Sequence, residues 1–359
     1  METNAKSKLF CQTQLPIQKM KLALPFILIL GLVACRPDED VQQPVSVEHA
    51  SVLILNEGNY NFGNGSLSKY NETSKVIENK VFQANNQGRP IGDVVQSAVQ
   101  IGNELFIIVN NSSKIEIVDP TTLSAIASIH QLNSPRYMVV LNSSKAYVSD
   151  LYENKIYIIN PSARTILGTI DTKGWIEEMT IVGKKLYAAH VDSNQVWVID
   201  TDNDQILHKI NTHEQPQFIE MDRDSNVWVS CSGGLSGGKS ALYRIDHTTD
   251  SIILVLEGNA SQKFGEIEMN GSKDEIYYLG EDGLYRLNIN TMTPSTTPII
   301  AKGNRLFYGF SIHPKTNEIY ICDAIDYQQK GVVYRYNYTG NQIDVFKVGI
   351  IPGDVFFIE

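Results

Sequence analysis

One short phrase recurs along this 359-residue chain: a strand-like run, an Asp or Asn, a polar turn, and a second strand-like run. Its Asp or Asn falls at Asn71, Asp119, Asn160, Asp200, Asp246, Asn288 and Asn337. The spacing, roughly 40–49 residues, lies in the range of blade repeats built from four strands. The runs before the anchors read SLSKYN, KIEIVD, KIYIIN, QVWVID, ALYRID, GLYRLN and VVYRYN. Asp and Asn suit the anchor because their side chains bond the backbone just ahead and tolerate turn geometry.

A second recurring run precedes each of these. It carries an aromatic residue at Phe106, Tyr147, Tyr187, Trp228, Tyr277 and Tyr320, with Leu53 in the same slot of the first copy. Six copies have a further apolar run upstream, among them VVQSAVQI, YMVVLN and GEIEMN. The runs are β-branched and aromatic, as strands prefer, and no helical period competes with them. Each repeat therefore holds four strands. The first copy lacks its upstream run, but the chain ends in IPGDVFFIE, which resembles the upstream runs elsewhere. The expectation is an all-β, seven-bladed β-propeller of four-stranded blades over residues 47–359. Its C-terminal strand completes blade one and so protects the edges of an otherwise open ring. The recurrent aromatics are expected between blades, since one four-stranded sheet cannot bury a core alone.

Ahead of the repeats lies a different kind of segment. Lys19 and Lys21 flank Met20, and the apolar run LALPFILILGLVA follows. A run of about a dozen residues is too short to span a bilayer and fits the leader of an exported protein. It ends in Leu32-Val33-Ala34-Cys35, which looks like a lipobox with Cys35 as the lipidated residue; an ordinary leader with a chance cysteine is the alternative. Residues 1–35 are read as the leader, with Met20 the better start, and 36–46 as a tether. The tether opens with RPDED, either a surface-export signal or a solvated linker. The expected location is the outer membrane, lipid-anchored and exposed at the cell surface. Cys231 and Cys322 remain, at the apolar ends of expected strands, and are read as buried free thiols; a disulfide is the alternative. The balance of 40 acidic against 30 basic residues, a net charge of –10, argues against a basic face for nucleic acid or anionic lipid.

The run YAAHVDSNQVWVID resembles the forty-residue YVTN repeat of YncE-like β-propellers. ILNEGNYNFGNGSLSKYN and GRPIGDVVQSAVQIGNELFIIVNNSSKIEIVD are similar to the opening of a group of Bacteroidetes surface lipoproteins. That group includes BtuG-like proteins that capture cobalamin for a TonB-dependent transporter, and relatives that capture iron–siderophore complexes. The resemblance spans about Ser51 to Glu359. It implies a capture protein and does not name the cargo; cobalamin, haem and ferric siderophore are the candidate cargoes, and a monomeric propeller is expected. It names no ligand residue.

The residues themselves suggest where such a cargo would sit. Loops joining second to third strands, and loops entering the inner strands, share one face of a propeller. They carry Tyr60, Tyr152, Trp175, Phe264, Phe307 and Tyr308 together with Arg89 and Arg136, and His190 ends a neighbouring strand. These nine are the candidate ligand-binding residues, because clustered exposed aromatics mark binding surfaces. The competing expectation is that each aromatic packs on its own blade. An enzyme is the alternative function. Asp150, His190 and Asp323 occupy equivalent strand ends beside Glu57, and could converge on a central metal or an acid–base pair, as in propeller lactonases and lyases. Calcium in the channel and a protein-interaction platform are also open.

Overall fold

The computed structural model describes residues 51–358 apart from 235–236 and 260–262. The expected lipidation site Cys35 and the tether lie outside the described residues. Seven antiparallel sheets of four strands each form the seven blades, and their strands follow in chain order from the innermost outward. Blade one departs from that order. Its strands are Pro352–Phe357, Ser51–Asn56, Ser66–Asn71 and Val76–Asn79, so the end of the chain supplies the inner strand. The register pairs Val52 with Phe357 and Ile54 with Val355.

The turn chemistry behind the repeat is visible at every anchor. The Asp119 carboxylate accepts the N–H groups of Thr121 and Thr122, at 2.9 and 2.7 Å. Asp246 accepts those of Thr248 and Thr249, and Asn71 those of Thr73 and Ser74. Asn160, Asp200, Asn288 and Asn337 cap their turns in the same way.

Stacking the blades buries the apolar side chains. The described residues form seven hydrophobic clusters, one at each junction between neighbouring blades. The recurrent aromatic slot feeds them: Phe106, Tyr147, Tyr187, Trp228, Tyr277 and Tyr320 are at most 1% exposed, as is Leu53. Three of the tyrosines also reach across. Tyr147 donates its hydroxyl proton to Asp204 of the next blade at 2.6 Å, Tyr187 donates to Asp250, and Tyr320 donates to Glu72 at 2.6 Å across the closing seam. In these three copies the slot joins apolar burial to a hydrogen bond that a buried phenol needs. Cys231 and Cys322 are free and buried.

The inner strands share one irregularity. In six blades the pairing between inner and second strand slips near the end where the inner strand begins. Such bulges leave residues unpaired and re-aim their side chains. The residues skipped are Gln96, Arg136 and Tyr137, Glu177 and Glu178, Gln217, Tyr308, and Gly353.

Candidate functional site

Every one of those skipped residues lines a single cavity of about 480 Å³ in the central channel, to which all seven blades contribute. Its size lies within the usual range of small-molecule sites. The mouth is built from blades one, two, three, four and seven. Trp175 is held just ahead of the blade-four inner strand (Ile176–Val182) by two backbone bonds. Its N–H donates to the Asp192 carboxylate at 2.8 Å, and its carbonyl accepts the Val191 N–H at 2.9 Å. A glycine must precede it, since a Cβ at Gly174 would stand 2.6 Å from Cε1 of His190. The Trp175 indole donates to Glu177 Oε2 at 2.7 Å. Arg136 clasps the same carboxylate, its Nε donating to Oε2 at 3.0 Å and its Nη2 to Oε1, while Nη1 donates to Gln96. Opposite, Tyr308 donates its hydroxyl proton to Glu57 Oε2 at 2.9 Å and meets Tyr327 edge to face, with centroids 5.7 Å apart.

Below the mouth the lining turns acidic. Glu178, Glu220, Glu266, Glu268 and Asp354 face the cavity from the inner strands and their entry loops, alongside the apolar Met138, Met179 and Phe218. Some of these acids serve the strand edges. Glu178 accepts the Ile219 N–H at 3.0 Å, and Glu268 accepts the Ile312 N–H at 3.2 Å, each from the next blade. Asp354 accepts the Ser311 hydroxyl at 2.9 Å. Burial disfavours the charged form, and it is the leading cause of every shift here. It pushes the Glu57 carboxyl up to about 7, partly offset by the Tyr308 hydrogen bond, and Glu220 up to about 6. Glu178, Glu266, Glu268 and Asp354 are likewise raised by burial. For the first of these, Glu220 and Glu266 add repulsion.

The nine residues singled out from sequence separate into groups. Arg136, Trp175 and Tyr308 meet at the cavity. Tyr60 and Tyr152 stand 58% and 62% exposed on loops. Arg89 lies away from the mouth, over the Phe82 ring and paired with Glu116 at 2.7 Å. Phe307 is covered by the Arg305 guanidinium. Two expectations need correction. Phe264 is 1% exposed and stacks on Tyr278 with centroids 4.9 Å apart, so it belongs to the core between blades five and six. His190 is 2% exposed, and both ring nitrogens are used: Nε2 donates to the Thr172 carbonyl and Nδ1 accepts the Ser193 N–H. It positions the Trp175 loop and is closed to a large cargo.

The strand-end acids offered as a catalytic set also stay apart. Asp150 accepts the N–H groups of Ser134, Tyr152 and Glu153, and Asp323 accepts those of Leu306 and Ile325. Each ties the loops of its own blade together. Among the described residues no three His, Cys, Asp or Glu side chains are placed to hold one metal ion. The acids below the mouth were missed from sequence. Their signal was a Glu-Met pair recurring in apolar strands, at Glu178, Glu220 and Glu268.

The fold is shared widely among solved structures. A quinonprotein alcohol dehydrogenase-like protein from Bacteroides thetaiotaomicron superposes with a TM-score of 0.69 at 13% identity, covering 86% of this chain and 78% of that one. A functionally unknown protein from Desulfotomaculum acetoxidans gives 0.66 at 12%, covering 86% and 98%. Hydrazine synthase from Kuenenia stuttgartiensis gives 0.58 at 16%, covering 66% and 74%. At these identities the likeness is one of fold. No curated protein matches the chain in sequence. The family model of a domain of unknown function, DUF5074, matches residues 50–350, and the chain belongs to that family.

Proposed function

We propose that this propeller is a lipid-anchored capture protein of the cell surface, binding a cofactor-sized cargo at the channel mouth and passing it to a TonB-dependent outer-membrane transporter. The observation that carries the reading is the meeting of Trp175 and Tyr308, from blades four and seven, at one open cavity. Tyr327 packs beside Tyr308, and Tyr60, Phe62 and Tyr152 stand exposed on surrounding loops. Aromatic planes of this kind supply contact area for a large ligand, and a few polar groups fix its orientation. Residues 1–35 then act as the export leader, Cys35 as the lipid anchor, and 36–46 as the tether.

Among the expected cargoes, the mouth weighs against an anionic ferric catecholate. Arg136 is the cation there, and Glu177 already neutralises it. A cobalamin-type cargo with peripheral amides, or another donor-rich cargo, suits the lining better. The test is a binding screen of residues 45–359 against cobalamins, haem and ferric siderophores, with Trp175→Ala alongside. Tight binding without turnover, lost in the variant, supports capture. Catalytic turnover of a bound compound would replace it with an enzyme. For the anchor, Cys35→Ala should release the protein into soluble fractions or trap its precursor. A variant still membrane-bound and correctly processed sinks that part of the reading.

A further inference from the structure

Seven carboxyl groups and one guanidinium line the channel cavity among the described residues, and the guanidinium is already committed. Arg136 gives its donors to Glu177 and Gln96. Glu177 is correspondingly filled, since it also takes the Trp175 indole. The remaining acids are different. Among the described residues, no salt bridge reaches Glu178, Glu220, Glu266, Glu268 or Asp354. A carboxylate offers about four acceptor sites, and the hydrogen bonds described above fill only a fraction of them. Lys273 acts on Glu220 only through its field. The cavity thus combines three features: an excess of one charge sign, unfilled acceptors, and an aromatic rim at its opening.

We infer that the channel receives the cationic group of an organic ligand, an alkylammonium or guanidinium, while Trp175 and Tyr308 pack against the ligand's body. The inference rests on the capture reading of the same mouth. Three arguments favour an organic cation over a bare metal ion. The acids come from blades one, four, five and six, with no three of them arranged around one ion. They alternate with Met138, Met179 and Phe218, which suit methylene groups. Trp and Tyr at the rim offer π faces to a cation that passes them. A low-dielectric channel lined by one sign of charge also concentrates the opposite sign.

A proton linkage accompanies this. The groups facing the cavity from its surrounding strands and loops are Glu57, Glu177, Glu178, Glu220, Glu266, Glu268 and Asp354, with Arg136, Tyr137 and Tyr308. Burial holds several of the acids toward their neutral forms. A cation favours their ionised forms, so binding releases protons and tightens as pH rises.

The experiment uses the purified full-length chain and two isosteric probes, n-butylguanidine and n-butylurea, which differ in charge. Binding is followed by calorimetry and ligand-observed NMR, with calcium chloride as a competitor. The expected result is that n-butylguanidine binds at least about tenfold tighter than n-butylurea. Its affinity should rise between pH 5.5 and 8, and fall at least about tenfold in Glu220→Gln/Glu266→Gln. Glu57→Gln at the mouth serves as a second variant should the double substitution not fold. Absent binding of n-butylguanidine, equal binding of both probes, or affinity unchanged in the folded variants overturns the inference. So does calcium binding that depends on the same acids and that n-butylguanidine cannot displace. If a cofactor-type cargo binds through Trp175 with no dependence on Glu220, Glu266 or pH, capture stands and the cationic group falls.

Discussion

Replacing Glu220 with Gln should stabilise the protein, and only at neutral and alkaline pH. Glu220 sits on the inner strand of blade five (Pro216–Met221) and faces the cavity. Burial raises its carboxyl from 4.5 to about 6, against smaller opposing effects of Lys273 and the Met221 N–H. A shift of about 1.5 units corresponds to roughly 2 kcal/mol. The sign follows from proton linkage. Below pH about 4.5 the group is protonated in both states and carries no penalty. Between about 4.5 and 6 the unfolded chain loses its proton first, and stability falls. Above about 6 the full cost of a buried charge is present. Gln has the same shape, keeps an acceptor for the Met221 N–H, and never ionises. The variant should therefore match the parent at pH 4 and exceed it by about 2 kcal/mol at pH 8, a gain of about 4 °C in Tm for a domain this large. Thermal melts at several pH values read this directly. For Glu57→Gln the window extends to about 7, so its gain should level off later. A Glu220→Gln variant destabilised at pH 8, or shifted equally at every pH, would refute the reasoning.

Three other outcomes are expected. Deleting residues 352–358 removes the inner strand of blade one, including Val355, 3% exposed, and Phe357, which packs on Tyr320 and His313. Val355 is buried, and Phe356, Phe357 and Ile358 are half-buried against neighbouring blades. Full burial is worth roughly 1.5–3 kcal/mol per side chain. Losing these together with a whole strand's pairing exceeds what a marginally stable fold can bear, so the product should aggregate or unfold by circular dichroism. A monomeric truncation with the parental Tm would contradict ring closure. Trp175→Ala and Tyr308→Ala should each weaken cargo binding more than about tenfold while shifting Tm little, because neither lies in the aromatic slot between blades. Phe264→Ala should do the reverse: a loss of about 3–5 kcal/mol in denaturant unfolding, with binding by the folded protein unchanged.

The repeat was legible because its causes are local. An Asx turn needs only the anchor and the two or three residues after it, so Asp119 or Asp246 announces its turn without reference to the rest of the chain. The inter-blade aromatics were legible because a single slot does the same job seven times. Ring closure followed from counting, since one copy lacked an inner strand and the C-terminus held a spare. The channel mouth was less visible. Bulges break the alternation that assigns a side chain to a face, so Glu177 and Glu178 can both line the cavity although they are neighbours in sequence. Phe264 misled for a related reason. It sits in a connecting segment, where exposure is the rule, yet its ring turns inward onto Tyr278. Loop membership is a property of the backbone, and it does not decide where a large apolar side chain goes.

The pairing of Ile54 with Val355 also sets a schedule. A ribosome releases the first strands of blade one long before it makes their inner partner. For most of synthesis the nascent chain is an open arc, with an unsatisfied strand at each end. Later blades can stack as they emerge, but the ring cannot close until the strand Pro352–Phe357 is free. A message cut short anywhere upstream yields an arc with two sticky edges, recognisable to chaperones and proteases. The strand Pro352–Phe357 thus works as a checkpoint, passed only by a chain translated through all seven blades.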